Sequence, residues 1–246
     1  MESTSELPRL VFEDESCWGV DKPPGWFVHP SPLDPKAPNL LDWLRATHES
    51  DAWVLHRLDR PTRGLVLFAR SREAASNLSR EFRERSVRKV YLCIARGWLP
   101  DELWVDRPLE DEDSGQKQEA RTALHCLERF ELPWARGEHL TTRYSLVRAE
   151  PETGRFHQIR RHLAGVSHPL VGDTRHGEGW HNRRFREAFG FHELALFAQS
   201  LELSRGTIRL PLPDGWERLL ASLRRGGEGT LQPSNSTKVA PVPPKP

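Results

Sequence analysis

The 246-residue sequence predicts an α+β fold with a mixed, mostly antiparallel central sheet flanked by helices. Two observations lead there. Stretches of strand character follow one another through turns, and helical stretches fall among them at irregular intervals. That is not the regular strand–helix alternation of a parallel, doubly wound sheet.

Taken in order, Leu10–Phe12 and Cys17–Val20 read as strands joined by the acidic turn Glu13-Asp14-Glu15-Ser16. Prolines at Pro23-Pro24-Gly25 and Pro30-Ser31-Pro32 break any helix and set a surface loop. Asn39 is placed to cap a short helix with Leu40, Leu41 and Leu44 on one side. Trp53–Leu58 and Leu65–Ala69 are predicted strands on either side of a polar turn. Ser71 caps an amphipathic helix that turns Ala75, Leu78 and Phe82 to one face, and its periodicity ends near Arg88. Val90–Ala95 alternates as a half-buried strand does. Ala120–Leu132 and Thr142–Ala149 are longer strands linked by the loop Pro133–Leu140. His157–Ala164 reads as a helix, Leu194–Leu203 and Thr207–Leu210 as a hairpin about Ser204-Arg205-Gly206, and Trp216–Leu223 as a closing helix. The Gly-, Ser- and Pro-rich tail Gly226–Pro246 has almost no large apolar residue and is expected to be disordered. With residues 1–9 expected to be a flexible N-terminus, one folded domain spans 10–225. No internal repeat or appended nucleic-acid-binding module is visible.

Composition narrows the class. Hydrophobic residues at 37% and nine tryptophans suffice for a sizeable core. Cys17, Cys93 and Cys126 form no close-spaced pair and no metal motif, which suits a reducing compartment. No apolar run reaches the length of a membrane helix, and the acidic N-terminus lacks the basic start of a signal peptide, so a cytoplasmic protein is expected. A net charge of +1 is a weak footprint for nucleic acid, but the charge is uneven. Acids collect at Glu110-Asp111-Glu112-Asp113. Arg155, Arg160, Arg161, Arg175, Arg183, Arg184 and Arg186 face few acids, and binding follows the local field rather than the total.

The densest chemical signal is His56-Arg57-Leu58-Asp59-Arg60-Pro61-Thr62-Arg63-Gly64. One carboxylate stands between two guanidinium-bearing neighbours, in a tight turn between two apolar runs. Kept ionised by those cations, Asp59 could serve as nucleophile or base; the plainer alternative is a strand–turn–strand corner where it only pairs with arginine. Three further blocks accompany it: Val20-Asp21-Lys22-Pro23-Pro24-Gly25, Lys89-Val90-Tyr91, and the run from Thr153-Gly154-Arg155-Phe156-His157-Gln158-Ile159-Arg160 to Arg161-His162-Leu163.

In this order and spacing the four blocks resemble the RNA pseudouridine synthases of the large-subunit rRNA synthase A superfamily, from about Leu10 to Leu223. Pro61-Thr62, Thr141-Thr142-Arg143-Tyr144, the run Ser167–Asp173, His176-Gly177 and Asn182-Arg183 look like the branch that isomerises uridine 65 in the T stem of certain tRNAs. Arg63 departs from the pattern, which usually has a small serine there. The resemblance implies a central sheet crossed by an RNA cleft, with tRNA, or alternatively large-subunit rRNA, as the partner. It assigns catalysis to Asp59, Tyr91 and Arg160. Arg160 would hold the Asp59 carboxylate in a bidentate geometry, and Tyr91 would stack on the uracil. RNA contacts are expected from Arg57, filling the space an extruded base leaves, and from His56, Arg60, Lys22, Arg155, His157 and Arg161. His56 and Lys22 could instead order or brace the turn.

No cofactor or metal is called for: isomerisation needs no redox partner, and no His-Glu-x-x-His, Cys-x-x-Cys or Gly-rich phosphate loop occurs. A monomer is expected. Two competing classes are weaker. A glycoside hydrolase needs a second carboxylate, and the block around Asp59 supplies none. A non-catalytic RNA-binding protein is separated from an enzyme by Asp59→Ala.

Overall fold

The computed structural model describes residues 6–32, 34–48 and 50–226. The sheet elements begin with β1 (Arg9–Glu13) and β2 (Cys17–Lys22), followed by helix α1 (Leu40–His48), β3 (Trp53–Val54) and β4 (Arg63–Ala69). Then come α2 (Arg72–Arg83), β5 (Arg88–Arg96), β6 (Glu102–Asp106), β7 (Leu109–Glu110), β8 (Lys117–Gln118), β9 (Arg121–Leu132) and β10 (Thr142–Pro151). The chain continues through α3 (Gln158–Gly165), α4 (Gly179–Phe189), β11 (Leu196–Leu203), β12 (Gly206–Arg209) and α5 (Asp214–Gly226). Contacts group these into two compact units: the part through Lys89 with Phe197–Pro211, and Val90–Leu196 with the segment from Leu212 onward.

In the first unit the strand order is β1-β2-β4-β11, with β3 also on β4 and β12 on β11. Pairing is antiparallel except between β4 and β11, where Phe197 and Ala198 lie opposite Arg63 and Gly64. That parallel contact requires a glycine: Gly64 has φ +128, and a Cβ there would sit 2.3 Å from the Ala198 carbonyl oxygen. β2 and β4 are buried along their whole length. This is why Leu65-Val66-Leu67-Phe68 reads as a continuous apolar run rather than an alternating one.

The second unit is built on the antiparallel order β5-β10-β9-β6. Ile159 and Leu163 of α3 pack on Cys93, Ala95, Leu103, Val105, Leu124, Val147 and Ala149 of these strands. The sequence block Thr153–Leu163 therefore leaves the end of β10 and docks at once on the core of the sheet. The mixed, mostly antiparallel α+β architecture is the one the sequence predicts.

Both sequence-predicted caps form. Asn39 Oδ1 accepts the Asp42 amide at 2.9 Å, and Ser71 Oγ accepts the Ala74 amide at 3.1 Å. Several boundaries differ. The strand predicted over Trp53–Leu58 stops at Val54, because the next amide on β4, that of Leu67, donates to His56 Nε2 at 3.0 Å. The second helix ends at Arg83 rather than near Arg88, since Arg85 turns left-handed at φ 58. α3 starts at Gln158, with His157 outside it at φ 52. Strand β6 and helix α4 were not anticipated. The alternation of buried Leu103 and Val105 with exposed Glu102, Trp104 and Asp106 was legible for β6. α4 buries His181, Asn182 and Phe185, two of them polar, so no apolar periodicity marks it. At the ends, β1 begins at Arg9, within the expected N-terminal segment, and α5 closes on Gly226. The remainder of the tail lies outside the described residues.

Candidate active site

The turn that carries Asp59 closes on itself through the Thr62 amide, which donates to the Asp59 carbonyl at 3.0 Å. The Asp59 side chain is half-buried. Beneath it stands Lys22, fully buried, whose ammonium donates to the carbonyls of Trp26 (2.8 Å), Arg60 (3.0 Å) and Pro23 (3.1 Å). Burial pushes the Lys22 amine down to about 7, and the Asp59 carboxylate opposes that shift. Lys22 thus ties the Pro-Pro-Gly loop to the turn that carries Asp59. With all three protons spent on carbonyls away from solvent, it does not offer the RNA contact expected of it.

His56 is also structural. Its Nε2 accepts from Leu67, its ring stacks on Phe82 at 4.9 Å, and burial pushes its pKa down to about 3. A neutral imidazole used as an acceptor orders the turn and has no charge to give a phosphate. Arg60 Nε donates to the Gly25 carbonyl at 3.0 Å while Gly25 donates back to the Arg60 carbonyl at 2.9 Å. Its guanidinium also pairs with Asp34 (3.3 Å) and lies over the Phe27 ring, so it clamps the same loop from the exposed side. Arg57 is exposed. Arg63 is buried, and its guanidinium forms a two-pronged ion pair with Glu6, one contact being 2.8 Å from Nη1 to Oε2. Glu6 was not legible as a partner in the sequence; it lets an arginine occupy this position.

In the second unit, Arg160 is buried on α3 and is gripped by Asp173, with Nε–Oδ2 at 2.7 Å and Nη2–Oδ1 at 2.8 Å. Asp173 Oδ1 also accepts the amides of Arg175 and His176, each at 2.9 Å. Burial alone would raise the Asp173 carboxyl, but Arg160 and these amides outweigh it and hold it below the usual carboxylate range. Asn182 of α4 fixes the segment from both sides, accepting the Gly172 amide (2.8 Å) and donating to the Asp173 carbonyl (2.9 Å). Neither Asp173 nor Asn182 was singled out for this role; only the Gly-Asp and Asn-Arg pairs in the sequence hinted at it.

Gln158 fastens the start of α3. It accepts from Thr153 Oγ1 (2.6 Å) and the Arg155 amide (3.0 Å) and donates to the Arg121 carbonyl (2.8 Å) and Thr122 Oγ1 (3.0 Å). Tyr91, on β5 opposite Ala149, is half-buried and packs against the core that seats α3. His157 bonds through Nδ1 to His176 Nε2 at 3.0 Å; burial, then nearby Arg160, push it down to about 3. Arg155 reaches the Glu119 carbonyl (2.9 Å) and Arg161 the Glu110 carbonyl (2.8 Å). Asp59 thus belongs to one unit, and Tyr91, Arg160 and the Arg155–Arg161 cluster to the other. The chemical inventory is one ionisable carboxylate in a braced turn, one rigidly held buried guanidinium, and one half-buried phenol.

Residues 17–165 match the family described as RNA pseudouridylate synthase. A tRNA pseudouridine synthase C of Vibrio cholerae is 39% identical over 230 residues, covering 87% of this chain and 94% of its own length. The protein of the same name in Salmonella typhimurium is 38% identical over 215 residues, covering 83% of each chain. Among solved structures, Human RNA Pseudouridylate Synthase Domain Containing 4 superposes with a TM-score of 0.68 at 23% identity, over 87% of this chain and 92% of that one. Human RNA Pseudouridylate Synthase Domain Containing 1 gives 0.66 at 22% identity, over 96% and 100%. These two likenesses bear on the fold.

Proposed function

This chain belongs to the RNA pseudouridylate synthase family, and on that premise we propose that it isomerises uridine to pseudouridine in tRNA, at uridine 65 of the T stem. The observation that carries the substrate class is similarity along nearly the whole length of proteins named tRNA pseudouridine synthase C.

In this reading Asp59 opens the reaction, by attack on the sugar or the ring or by taking a sugar proton. The N-glycosidic bond breaks, the base turns, and a C–C bond forms at C5 with loss of the C5 proton. Arg160 keeps the carboxylate anionic in a site dry enough for the chemistry, and its fixed fork is the feature lysine could not supply. The phenol of Tyr91 stacks on the uracil and relays the C5 proton. A uridine in a paired stem must first be extruded, at a cost of a few kcal/mol; exposed Arg57 fills the vacated space.

The test is incubation of the purified protein with unmodified tRNA and large-subunit rRNA transcripts, followed by site-specific pseudouridine detection. Product at position 65 of tRNA is expected, and Asp59→Ala should abolish it while leaving tRNA binding largely intact. Product confined to rRNA would overturn the tRNA assignment; normal turnover by the Asp59 variant would overturn the mechanism.

A further inference from the structure

We infer that Phe156 is a stacking platform for a nucleobase unstacked from the RNA beside the reacting uridine, with Arg155, Arg161 and Arg175 receiving the adjoining phosphates. The inference rests on the reading of the substrate as RNA and adds a subsite to it.

Phe156 opens directly onto solvent, 38% exposed, immediately before the helix that carries Arg160. An exposed phenyl is ordinary by itself, but this one is held rigidly. Its ring stacks on His157 with centroids 3.7 Å apart and planes inclined by 21°. His157 in turn is fixed by its left-handed backbone and by the bond to His176. A non-glycine residue at positive φ stores strain, which is often found where a side chain must be aimed. Here the aimed group is a two-ring stack adjoining the Arg160–Asp173 pair.

The cations around it complete the pattern. The Arg175 guanidinium lies over the Phe156 ring at 5.6 Å. Arg161 Nη1 reaches the carbonyls of Phe156 (3.5 Å) and Glu110 (2.8 Å), and Arg155 Nε that of Glu119 (2.9 Å). An aromatic face among guanidinium groups is how proteins bind unpaired nucleotides: the ring takes the base and the cations take the backbone.

The present partners of these arginines come from the acidic β7–β8 hairpin and its flank. Arg175 pairs with Glu112 at 2.5 Å, but the two side chains are 52% and 41% exposed. A pair this exposed is worth little against solvent and yields readily to a phosphate. The hairpin oxygens thus occupy the positions that phosphates would take.

The experiment uses the full chain and three variants, Phe156→Ala, Phe156→Leu and Phe156→Trp. Steady-state kinetics on an unmodified tRNA transcript are paired with fluorescence quenching of a single-stranded oligonucleotide carrying 2-aminopurine. Base–aromatic stacking corresponds to roughly 5- to 150-fold in affinity. Phe156→Ala and Phe156→Leu should therefore raise KM about tenfold or more with kcat within about threefold, while Phe156→Trp keeps the wild-type KM. Loss of quenching should follow the same order. Leucine and alanine variants with KM and quenching within about twofold of wild type would overturn the platform. Should the wild-type protein form pseudouridine in no RNA, the functional reading fails on its own, and the quenching series still decides the platform.

Discussion

Arg160 and Asp173 form a two-pronged ion pair, Nε–Oδ2 2.7 Å and Nη2–Oδ1 2.8 Å, with side chains only 4% and 0% exposed. A guanidinium taken out of water is costly unless its charge is matched, so Asp173 is what allows Arg160 to be buried and aimed. Removing one partner of such a pair typically costs about 3–5 kcal/mol. Asp173→Ala should lower stability by that order in urea unfolding. Asp173→Asn keeps the shape and one acceptor, so it should fold better yet leave Arg160 less firmly oriented. It should lower kcat by roughly tenfold or more with KM little changed. An Asp173→Asn protein with wild-type kcat would mean that Arg160 needs no such support.

Lys22 makes a second prediction, in which stability and pH are linked. Its folded pKa is about 7 against an ordinary 10.5. Between those values the unfolded chain holds a proton that the folded chain has released, so stability contributed by this site rises from pH 7 toward 10.5 and is least below 7. Lys22→Met removes that slope. It also leaves three buried carbonyls without their donor, each loss worth about 1–3 kcal/mol, set against the desolvation no longer paid by the ammonium. A net loss of about 2 kcal/mol and a flatter Tm between pH 7 and 9 are expected from thermal melts. An unchanged pH profile would show that the amine does not titrate there.

What the sequence disclosed depended on whether the determining contacts were local. Asn39 and Ser71 were readable as caps because an N-cap acts on an amide three residues away. The Asp59 turn was readable because its charges and its flanking apolar strands lie within a dozen residues. Asp173 as the partner of Arg160 was not, since 13 residues and a turn separate them and only the fold of the loop before α4 brings them together. α4 itself hid because its buried face is His181-Asn182 and Phe185 rather than an apolar stripe. His56 shows the converse: adjacency to Asp59 left RNA contact and turn ordering both open, and only the fold reveals the ring bonded to the Leu67 amide.

Glu6 and Arg63 supply a third prediction. Arg63 has only 8% of its side chain exposed, whereas Glu6 is 50% exposed, so the pair is anchored from the arginine side. Glu6→Gln should destabilise by about 1–2 kcal/mol, below the cost of a fully buried pair because solvent still reaches the carboxylate. Arg63→Ser should largely erase the effect of Glu6→Gln when the two are combined. A double-mutant cycle by urea unfolding measures this; additive effects would show the two side chains to be energetically independent.

The histidines set the acid limit. Burial pushes His56 and His157 to about 3 and His181 to about 4, from an ordinary 6.5, and it also lowers His162 and His176. His56 and His181 make hydrogen bonds that suit the neutral form: His56 accepts from Leu67, and His181 accepts from Arg136 at Nε2 (2.6 Å) while its Nδ1 meets Tyr144 Oη (2.6 Å). As pH falls below about 6.5, the unfolded chain takes up protons at these sites and the folded chain does not, so stability is lost progressively toward pH 4. The Tm should therefore drop steeply between about pH 6.5 and 4, with proton uptake on unfolding measurable by calorimetry in buffers of different ionisation enthalpy. His157→Gln should remove part of that dependence. A Tm that stays level from pH 7 to 5 would mean that these rings are protonated in the folded protein as readily as in the unfolded one.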